Sequence, residues 1–562
     1  MPDDEVGGDG AGHPSPVLAE VRGHAAADAP TADAPPTDAP PADAGERDET
    51  DEVAAAWAAD AAAPRHRRAR PVGVTQALAA AQSPGAVLAA LVAAYVVVFG
   101  RLTWAQQSNY GTFGFDMGVF DQQIWLASRF HHTFITVRGL DMWANHVNPN
   151  IYLLVPFYWL GAGPHFLYLL QTFALALGAV PLWLLARERW GDGWLALGIA
   201  VAWLLYPALE WMTWWHFHPE SLAVTPMLFA WWFATRQRWW PYAVCVVLVL
   251  AAKEDMAFAV LALGLAVAFY HHRRYGLVTA GAAVAWLLVC LKLIMPHYTG
   301  AVSPFYADQY SALGNNLNQI AYNAVRHPSR WLRFVFDKSR HQYFEEMLAP
   351  VAFLAFLAPG VAFVALPTVL INVVNNQGYP HDIKFQYQAL VTAGIFLAVV
   401  EGIGRVGRPG MRRFLVGAMC ACSLASNAAW SPSRLNNHVY HSGIWALHSS
   451  VHLRTMEEAV HMVPGGASVS ASYTVVPHLT HRVAIYEWPN PWVRSYYGLT
   501  ERQPLPDPGT VDYLVLDTGL NPNEAPLVAR LTAPGGEFEV VLNHDAVLLA
   551  KRVHPPVPGA QP

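Results

Sequence analysis

The chain has 562 residues, of which 54% are hydrophobic and only 14% are charged. Because an average soluble domain carries about 25% charged residues, this composition predicts a membrane protein and excludes an ordinary soluble enzyme. The net charge is −6. No basic face stands clear of the membrane, so we expect no nucleic-acid partner.

The N-terminal segment, residues 1–70, is an acidic tail rich in Ala, Pro and Asp. Its first 60 residues hold 15 acidic and two basic side chains. Such a polar, proline-rich composition cannot bury a core, which predicts a disordered segment. A basic cluster from Arg65 to Arg70 precedes the first apolar stretch. By the positive-inside rule, the tail is therefore cytoplasmic.

Residues 80–430 are predicted to form an α-helical polytopic membrane domain. Hydropathy and length indicate about 11 transmembrane helices, at 84–103, 164–186, 193–213, 219–235, 239–252, 256–270, 276–296, 345–358, 361–375, 387–403 and 412–430. The pair 239–252 and 256–270 could equally form one broken helix. Four of the loops placed inside are basic, as the positive-inside rule requires.

Two large loops and the C-terminal region are predicted to lie outside. The loops cover residues 104–163 and 297–344, and an odd number of spans carries the end of the chain to the same side. Residues 431–562 are predicted to be a small extracytoplasmic α/β domain, with a strand at 512–517 and a closing hairpin at 538–549. We therefore expect a multi-pass plasma-membrane protein.

The first outer loop contains two carboxylates, Asp116 and Asp121, in the aromatic stretch from Phe115 to Trp125. Burial beside a bilayer raises a carboxyl pKa, which favours general-base chemistry. Their spacing of five residues directs them about 140° apart on a regular helix, so they need not act as a pair. Both are catalytic candidates, Asp116 foremost; the structural alternative is one helix cap and one solvated side chain.

Candidate side chains for substrate binding lie in other outer loops. They are His146, His216, His218, Glu220, Lys253, Glu254, His381 and Gln386. His216, His218 and Glu220 could ligate a metal only with help from another loop, so we assign no metal site and leave a divalent-metal requirement open. Charges such as Lys253 and Glu254 either line a cavity at membrane depth or form an outer turn.

Nucleotide-binding motifs are missing from the sequence. It contains no GxxxxGK[ST] loop, and Gly161-Ala162-Gly163 is followed by Phe166 where a dinucleotide fingerprint needs glycine. A nucleotide-driven pump is therefore not expected.

Several of these motifs carry a family resemblance. They are Asp116 to Trp125, Asn148 to Tyr152 with Leu182 to Arg187, His218-Pro219-Glu220 and Lys253-Glu254-Asp255. Over roughly residues 80–500 the chain resembles a family of bacterial predicted membrane proteins known as domain of unknown function 2079. It is also similar to the class C glycosyltransferases, which use lipid-phosphate sugars and carry an acidic catalytic residue in the first outer loop. The stretch His146 to Tyr152 departs from their pattern by the insertion of Val147-Asn148.

The resemblance implies a glycosyltransferase that moves a sugar from a polyprenyl-phosphate carrier to an acceptor at the outer face. Asp116 would be the base, and Lys253, His216 or His218 would hold the donor phosphate. The implied partners are membrane lipids and a polyprenyl-phosphate-linked sugar. The sequence does not disclose the sugar, the acceptor or the oligomeric state. The alternative is a transporter or lipid flippase of the cell envelope, with Lys253 to Asp255 lining a pathway.

Overall fold

The computed structural model of the chain describes residues 83–299, 309–440, 449–499, 503–520 and 522–555. The acidic tail predicted at 1–70 lies outside these described residues. All of the described residues belong to one unit, Gly73–Pro562.

Most described residues are helical. Residues 83–299 contribute α1 Pro84–Ser108, α2 Val119–Ser128, α3 Met142–Asn145, α4 Val155–Trp159, α5 Pro164–Leu177, α6 Ala179–Trp190, α7 Leu197–Leu204, α8 Pro207–Trp214, α9 Ser221–Thr235, α10 Trp239–Leu250, α11 Met256–Tyr270, α12 Arg273–Val289 and α13 Met295–Thr299. Later residues contribute α14 Leu317–Arg326, α15 Pro328–Val335, α16 Lys338–Leu348, α17 Pro359–Ala362, α18 Leu366–Val374, α19 Ala389–Gly404, α20 Pro409–Trp430, α21 Asn437–Tyr440, α22 Val451–His461 and α23 Ala525–Leu531.

Four helical segments in the described part of the chain are long and apolar enough to cross a membrane. They are Pro84–Ser108, Pro164–Trp190, Arg273–Thr299 and Gln386–Gly404. The helices α9, α10 and α11 are apolar but shorter, below the roughly 20 residues that span a bilayer without thinning it. The predicted count of about 11 spans is therefore not established.

Two predicted spans differ from the structure because proline interrupts them. At 345–375 the chain forms 3₁₀ turns at Ala349–Val351 and Leu354–Leu357 in place of continuous helix. Pro350 and Pro359 lie in this stretch, and proline removes a backbone donor that a helix needs. The predicted spans at 345–358 and 361–375 are therefore not continuous helices.

The helices pack closely where glycine replaces larger side chains. A Cβ at Gly276 of α12 would lie 2.1 Å from the backbone nitrogen of Ala268, and one at Gly178 would lie 2.6 Å from the ring of Trp203. Such contacts let helix backbones approach each other, which is how membrane helices gain van der Waals packing.

The C-terminal region folds around a five-stranded mixed sheet. Its strands are β3 Val469–Ala471, β4 Ile485–Glu487, β5 Tyr513–Asp517, β6 Phe538–His544 and β7 Val547–Arg552, in the order β4-β3-β5-β7-β6; a separate pair, β1 Phe134–Ile135 and β2 Leu140–Asp141, lies in the first outer loop. The strand β3 pairs in parallel with β4 and β5, so these three strands end at one edge of the sheet.

The hairpin predicted at the end of the chain is confirmed. Strands β6 and β7 pair antiparallel, and the two residues between them, Asp545 and Ala546, have φ values of 52° and 61°. Positive φ at both central positions is typical of a type I′ turn, whose twist matches the flanking strands.

Candidate active site

Asp116 lies in a π-helical turn, Gly114–Gly118, that packs directly on the C-terminal sheet. The N–H of Gly114 donates to the carbonyl oxygen of Tyr473 at 2.7 Å. A Cβ at Gly114 would lie 2.8 Å from Oε2 of Glu487, so a side chain there would force the turn away from the sheet. Asp116 is therefore fixed at the junction between the first outer loop and the C-terminal strands.

Two histidines from the loop between α8 and α9 contact Asp116. Nδ1 of His216 lies 3.2 Å from one carboxylate oxygen, and Nε2 of His218 lies 3.6 Å from the other. Nδ1 of His218 also faces the carbonyl oxygen of His216 at 2.9 Å, and because a carbonyl only accepts, this nitrogen carries a proton. The second ring nitrogen of His218 is therefore the one directed at Asp116.

The charges of this group reinforce each other. Burial lowers the pKa of His218, but the carboxylates of Asp116 and Glu220 outweigh burial and raise it. Burial raises the pKa of Asp116, yet hydrogen bonds and charge from His216 and His218 hold it well below its usual range. The raised pKa expected from the sequence is therefore wrong for Asp116. Asp116 is a carboxylate at neutral pH, which is the form that accepts a proton.

Gln171 of α5 holds the histidine loop in place. Its side-chain amide donates to the carbonyl oxygens of Met212 and Trp215 at 2.8 and 3.0 Å, and its oxygen accepts the N–H of His218 at 3.0 Å. A glutamine inside an apolar span has no motif around it, so the sequence alone did not single it out.

A second charged group surrounds Lys253 in the turn between α10 and α11. Its ammonium lies 3.1 Å from Glu220 and 3.2 Å from Asp255, and 5.6 Å from the ring centre of Tyr387. Burial lowers the pKa of Lys253, but the surrounding carboxylates outweigh burial and raise it well above its ordinary value. Lys253 is therefore charged at neutral pH.

Glu254 turns to the opposite side of the same turn. Its carboxylate lies 3.0 Å from Nδ1 of His146 and accepts the N–H of Val147 at 2.9 Å. We name Asp116, His146, His216, His218, Glu220, Lys253, Glu254 and Asp255 the charged cluster. Glu220 connects its two halves, because its carboxylate lies 3.1 Å from the Lys253 ammonium and its charge also acts on His218.

Asp121 is placed away from the charged cluster. Its carboxylate is fully buried and accepts a hydrogen bond from the hydroxyl of Tyr158 at 2.6 Å and another from Thr480. Nε2 of His481 lies 3.2 Å away. Through these contacts Asp121 connects the loop 104–163 to the C-terminal region, and this connection is the role that the structure indicates for it.

His381 and Gln386 are also outside the charged cluster. Nδ1 of His381 lies 3.3 Å from the carbonyl oxygen of Asn372, and Gln386 is buried. Their neighbour Tyr387 faces Lys253 instead, and its ring centre lies 5.5 Å from that of Tyr379. In this segment it is therefore Tyr387, and not the predicted Gln386, that lies near Lys253.

Glu487, the last residue of β4, was not predicted as a site residue. It lines a cavity of about 200 Å³ together with Phe113, Phe115, Tyr473 and Tyr496. Burial and the charge of Asp116 raise the pKa of Glu487 to about 7, although Arg138 partly opposes this. The site therefore holds one carboxyl with a lowered pKa and another with a raised pKa, close enough for the charge of the first to act on the second.

Within the described ranges, no three His, Cys, Asp or Glu side chains are grouped so that they could hold a metal ion. His216, His218 and Glu220 are oriented instead towards Asp116 and Lys253.

The fold is similar to that of ArnT, which has been solved in two states. The apo structure of ArnT from Cupriavidus metallidurans superposes with a TM-score of 0.51 at 12% sequence identity, over 84% of this chain and 99% of that chain. ArnT bound to undecaprenyl phosphate gives a TM-score of 0.47 at 11% identity, over 82% and 97% of the two chains. The chain and ArnT therefore share a fold.

The family follows from the sequence. Residues 109–532 match the model of the predicted membrane protein family DUF2079. The chain belongs to this family. No curated protein matches the chain.

Proposed function

We propose that the chain is a membrane glycosyltransferase that moves a sugar from a polyprenyl-phosphate carrier to an acceptor at the outer face of the membrane. The observation that carries the proposal is the ionised Asp116, held by two histidines in a fold shared with ArnT. Because ArnT has been observed with undecaprenyl phosphate, a polyprenyl phosphate is the donor class we infer.

Asp116 acts as the general base in this proposal. The acceptor hydroxyl oxygen forms a bond to the anomeric carbon of the sugar, and the bond from that carbon to the phosphate oxygen breaks. The electron pair leaves with the polyprenyl phosphate, and the hydroxyl proton passes to the Asp116 carboxylate. His218 holds the carboxylate in place and balances its charge before the proton arrives.

Lys253 is the residue to which we assign the donor phosphate. An ammonium has three N–H donors, and Glu220 and Asp255 are near enough to engage two of them. Among the described residues, no third acceptor lies within ion-pair distance of the ammonium, so one N–H remains for a phosphate oxygen. Tyr379 and Tyr387, whose ring centres lie 5.5 Å apart, supply hydroxyl groups in the neighbourhood of Lys253.

Profiling of lipid-linked and transferred glycans tests the proposal in a strain that lacks this protein. The expected result is accumulation of one polyprenyl-phosphate-linked sugar and loss of one glycan modification. The wild-type chain should reverse both changes, whereas Asp116→Asn, expressed at the same level, should reverse neither. Unchanged glycans on every lipid carrier would contradict the proposal.

A further inference from the structure

The cavity beside Glu487, which we name the aromatic cavity, lies where the C-terminal sheet meets the first outer loop. Its lining residues are Phe113, Phe115, Tyr473, Glu487 and Tyr496. Tyr473 follows β3 after one intervening residue, and Glu487 ends β4. These strands are parallel, so both side chains lie at their carboxyl edge, where ligands bind in open α/β sheets.

Each wall of the aromatic cavity pairs one ring from the loop with one from the C-terminal region. The ring centres of Phe113 and Tyr473 lie 5.2 Å apart, and those of Phe115 and Tyr496 lie 5.9 Å apart, both edge to face. Tyr496 is 76% exposed and Phe115 is 43% exposed, so their rings form an accessible rim. Neither half of the chain forms this cavity alone.

Size and charge restrict what the aromatic cavity can hold. Its volume of about 200 Å³ is below the range of roughly 300–1,000 Å³ for drug-sized ligands, so it has room for about one ring. The carboxyl of Glu487, next to Asp116, disfavours an anion. The guanidinium of Arg138, 5.2 Å from the ring centre of Phe115, disfavours a small cation by occupying the ring face that would attract it.

A saccharide ring satisfies all these conditions. Its C–H faces are apolar and pack against aromatic rings, while its hydroxyls donate hydrogen bonds to a carboxylate. Arg138 also donates to the carbonyl oxygens of Tyr496 and Gly498 at 2.5 and 2.7 Å. These bonds hold the backbone of Tyr496 at the rim, and its ring packs edge to face against Phe115.

We propose that the aromatic cavity binds one neutral monosaccharide ring, with Glu487 accepting a hydrogen bond from a ring hydroxyl and Tyr473 and Tyr496 contacting its faces. This inference rests on the proposed function, in which the ring belongs to the donor or to the acceptor. It makes the C-terminal region the part of the chain that selects the sugar.

Saturation-transfer NMR on the full chain in detergent tests the proposal, with the methyl glycosides of glucose, mannose, galactose, arabinose and N-acetylglucosamine as probes. At least one glycoside should bind, and Tyr496→Ala and Tyr473→Ala should each weaken it by about 2- to 10-fold. The control is Tyr322→Ala, which removes an exposed ring outside the cavity and should leave binding unchanged. No binding by any probe, or equal binding by all variants, would overturn the proposal.

The pH dependence of glycoside binding separates Glu487 from a merely structural role. The pKa of Glu487 is about 7, so this side chain is a carboxylate at pH 8 and protonated at pH 6. Because the carboxylate is the better acceptor, the wild type should bind the glycoside more tightly at pH 8 than at pH 6. The titratable and charged groups that face it are Asp116, Arg138 and Tyr473. Glu487→Gln should remove the pH dependence. A pH dependence that survives in this variant would contradict the role of Glu487.

A competition experiment identifies the source of the ring. In the Asp116→Asn variant, a polyprenyl phosphate carrying the sugar of the best probe should displace the glycoside if the cavity binds the donor, and should leave it bound if the cavity binds the acceptor. Binding is measured here without transfer. A failed glycan profile would therefore remove the proposed function, whereas failed glycoside binding would remove only this inference.

Discussion

Replacing Lys253 by Met removes the cation at the centre of the charged cluster. The Lys253 side chain is 8% exposed, and its ammonium lies 3.1 Å from Glu220, whose side chain is 5% exposed. Without Lys253, the Glu220 carboxylate depends on His218 and His146 for compensation. The variant therefore leaves a buried charge that has lost its nearest partner.

The magnitude follows from the geometry of this ion pair. Removing one partner of a buried pair typically costs about 3–5 kcal/mol, because the other charge stays buried. We expect Lys253→Met to lower the free energy of unfolding by about this amount. The lost contact with Asp255 adds little to this loss of stability, since the Asp255 side chain is 35% exposed and water screens its charge. The double variant Lys253→Met/Glu220→Gln should recover most of the loss.

Unfolding in mixed micelles, titrated with sodium dodecyl sulfate and followed by circular dichroism, measures these differences. The matched control is Lys384→Met, which removes an exposed lysine 5.7 Å from the ring of Trp211 and should cost less than about 1 kcal/mol. A Lys253→Met protein as stable as the Lys384→Met control would refute the reasoning. A double variant no more stable than Lys253→Met would refute it as well.

Three further predictions concern other parts of the chain. Asp121→Asn should lower the free energy of unfolding by about 1–3 kcal/mol in the same titration, because buried donors lose a charged acceptor. Glu487→Gln should raise the free energy of unfolding at pH 8 by up to about 3 kcal/mol and should change it little at pH 5. Its raised pKa makes the folded state bind a proton that the unfolded state releases, so wild-type stability falls as pH rises towards 7; titrations at both pH values check this. Reporter fusions after residues 60 and 440 should be active on opposite sides of the membrane, and activity on one side would contradict the predicted topology.

Long apolar stretches were the part of the fold that the sequence predicted best. The spans at 84–103 and 387–403 correspond to α1 and α19, each within a few residues at its start. The stretch 345–375 is equally apolar, yet prolines and residues with positive φ, such as Ala352 and Phe353, divide it into short turns. Hydropathy measures solubility in the bilayer, whereas helix continuity depends on backbone donors that it does not record.

The residues of the charged cluster could be named from the sequence because each is a polar group next to apolar or aromatic residues. Their partners could not be named, since Glu220 and Lys253 are 33 positions apart and meet only through the packing of α9 to α11. Asp121 shares its motif with Asp116, but the π-helical turn at Gly114–Gly118 changes the direction of the chain between them. Its partners Thr480 and His481 come from the distant C-terminal region.

Glu487 shows the limit of sequence reasoning most clearly. An acid at the end of a short strand belongs to no motif that would mark it as a site residue. Its significance arises from Gly114, which brings the first outer loop against it, and from the charge of Asp116, which raises its pKa. Both effects are tertiary contacts between segments more than 370 positions apart.

The rate of sugar transfer by Asp116→Asn tests most directly whether Asp116 is the catalytic base. Membranes of the deletion strain carrying either wild-type or variant chain are compared for glycan product formed per amount of folded protein. Asn has nearly the same shape but accepts no proton, so the rate should fall by about 10²–10⁴-fold. Asp121→Asn is the same substitution outside the charged cluster, and it should lower the rate of sugar transfer by less than about tenfold. A folded Asp116→Asn protein that transfers sugar at nearly the wild-type rate would contradict the assignment.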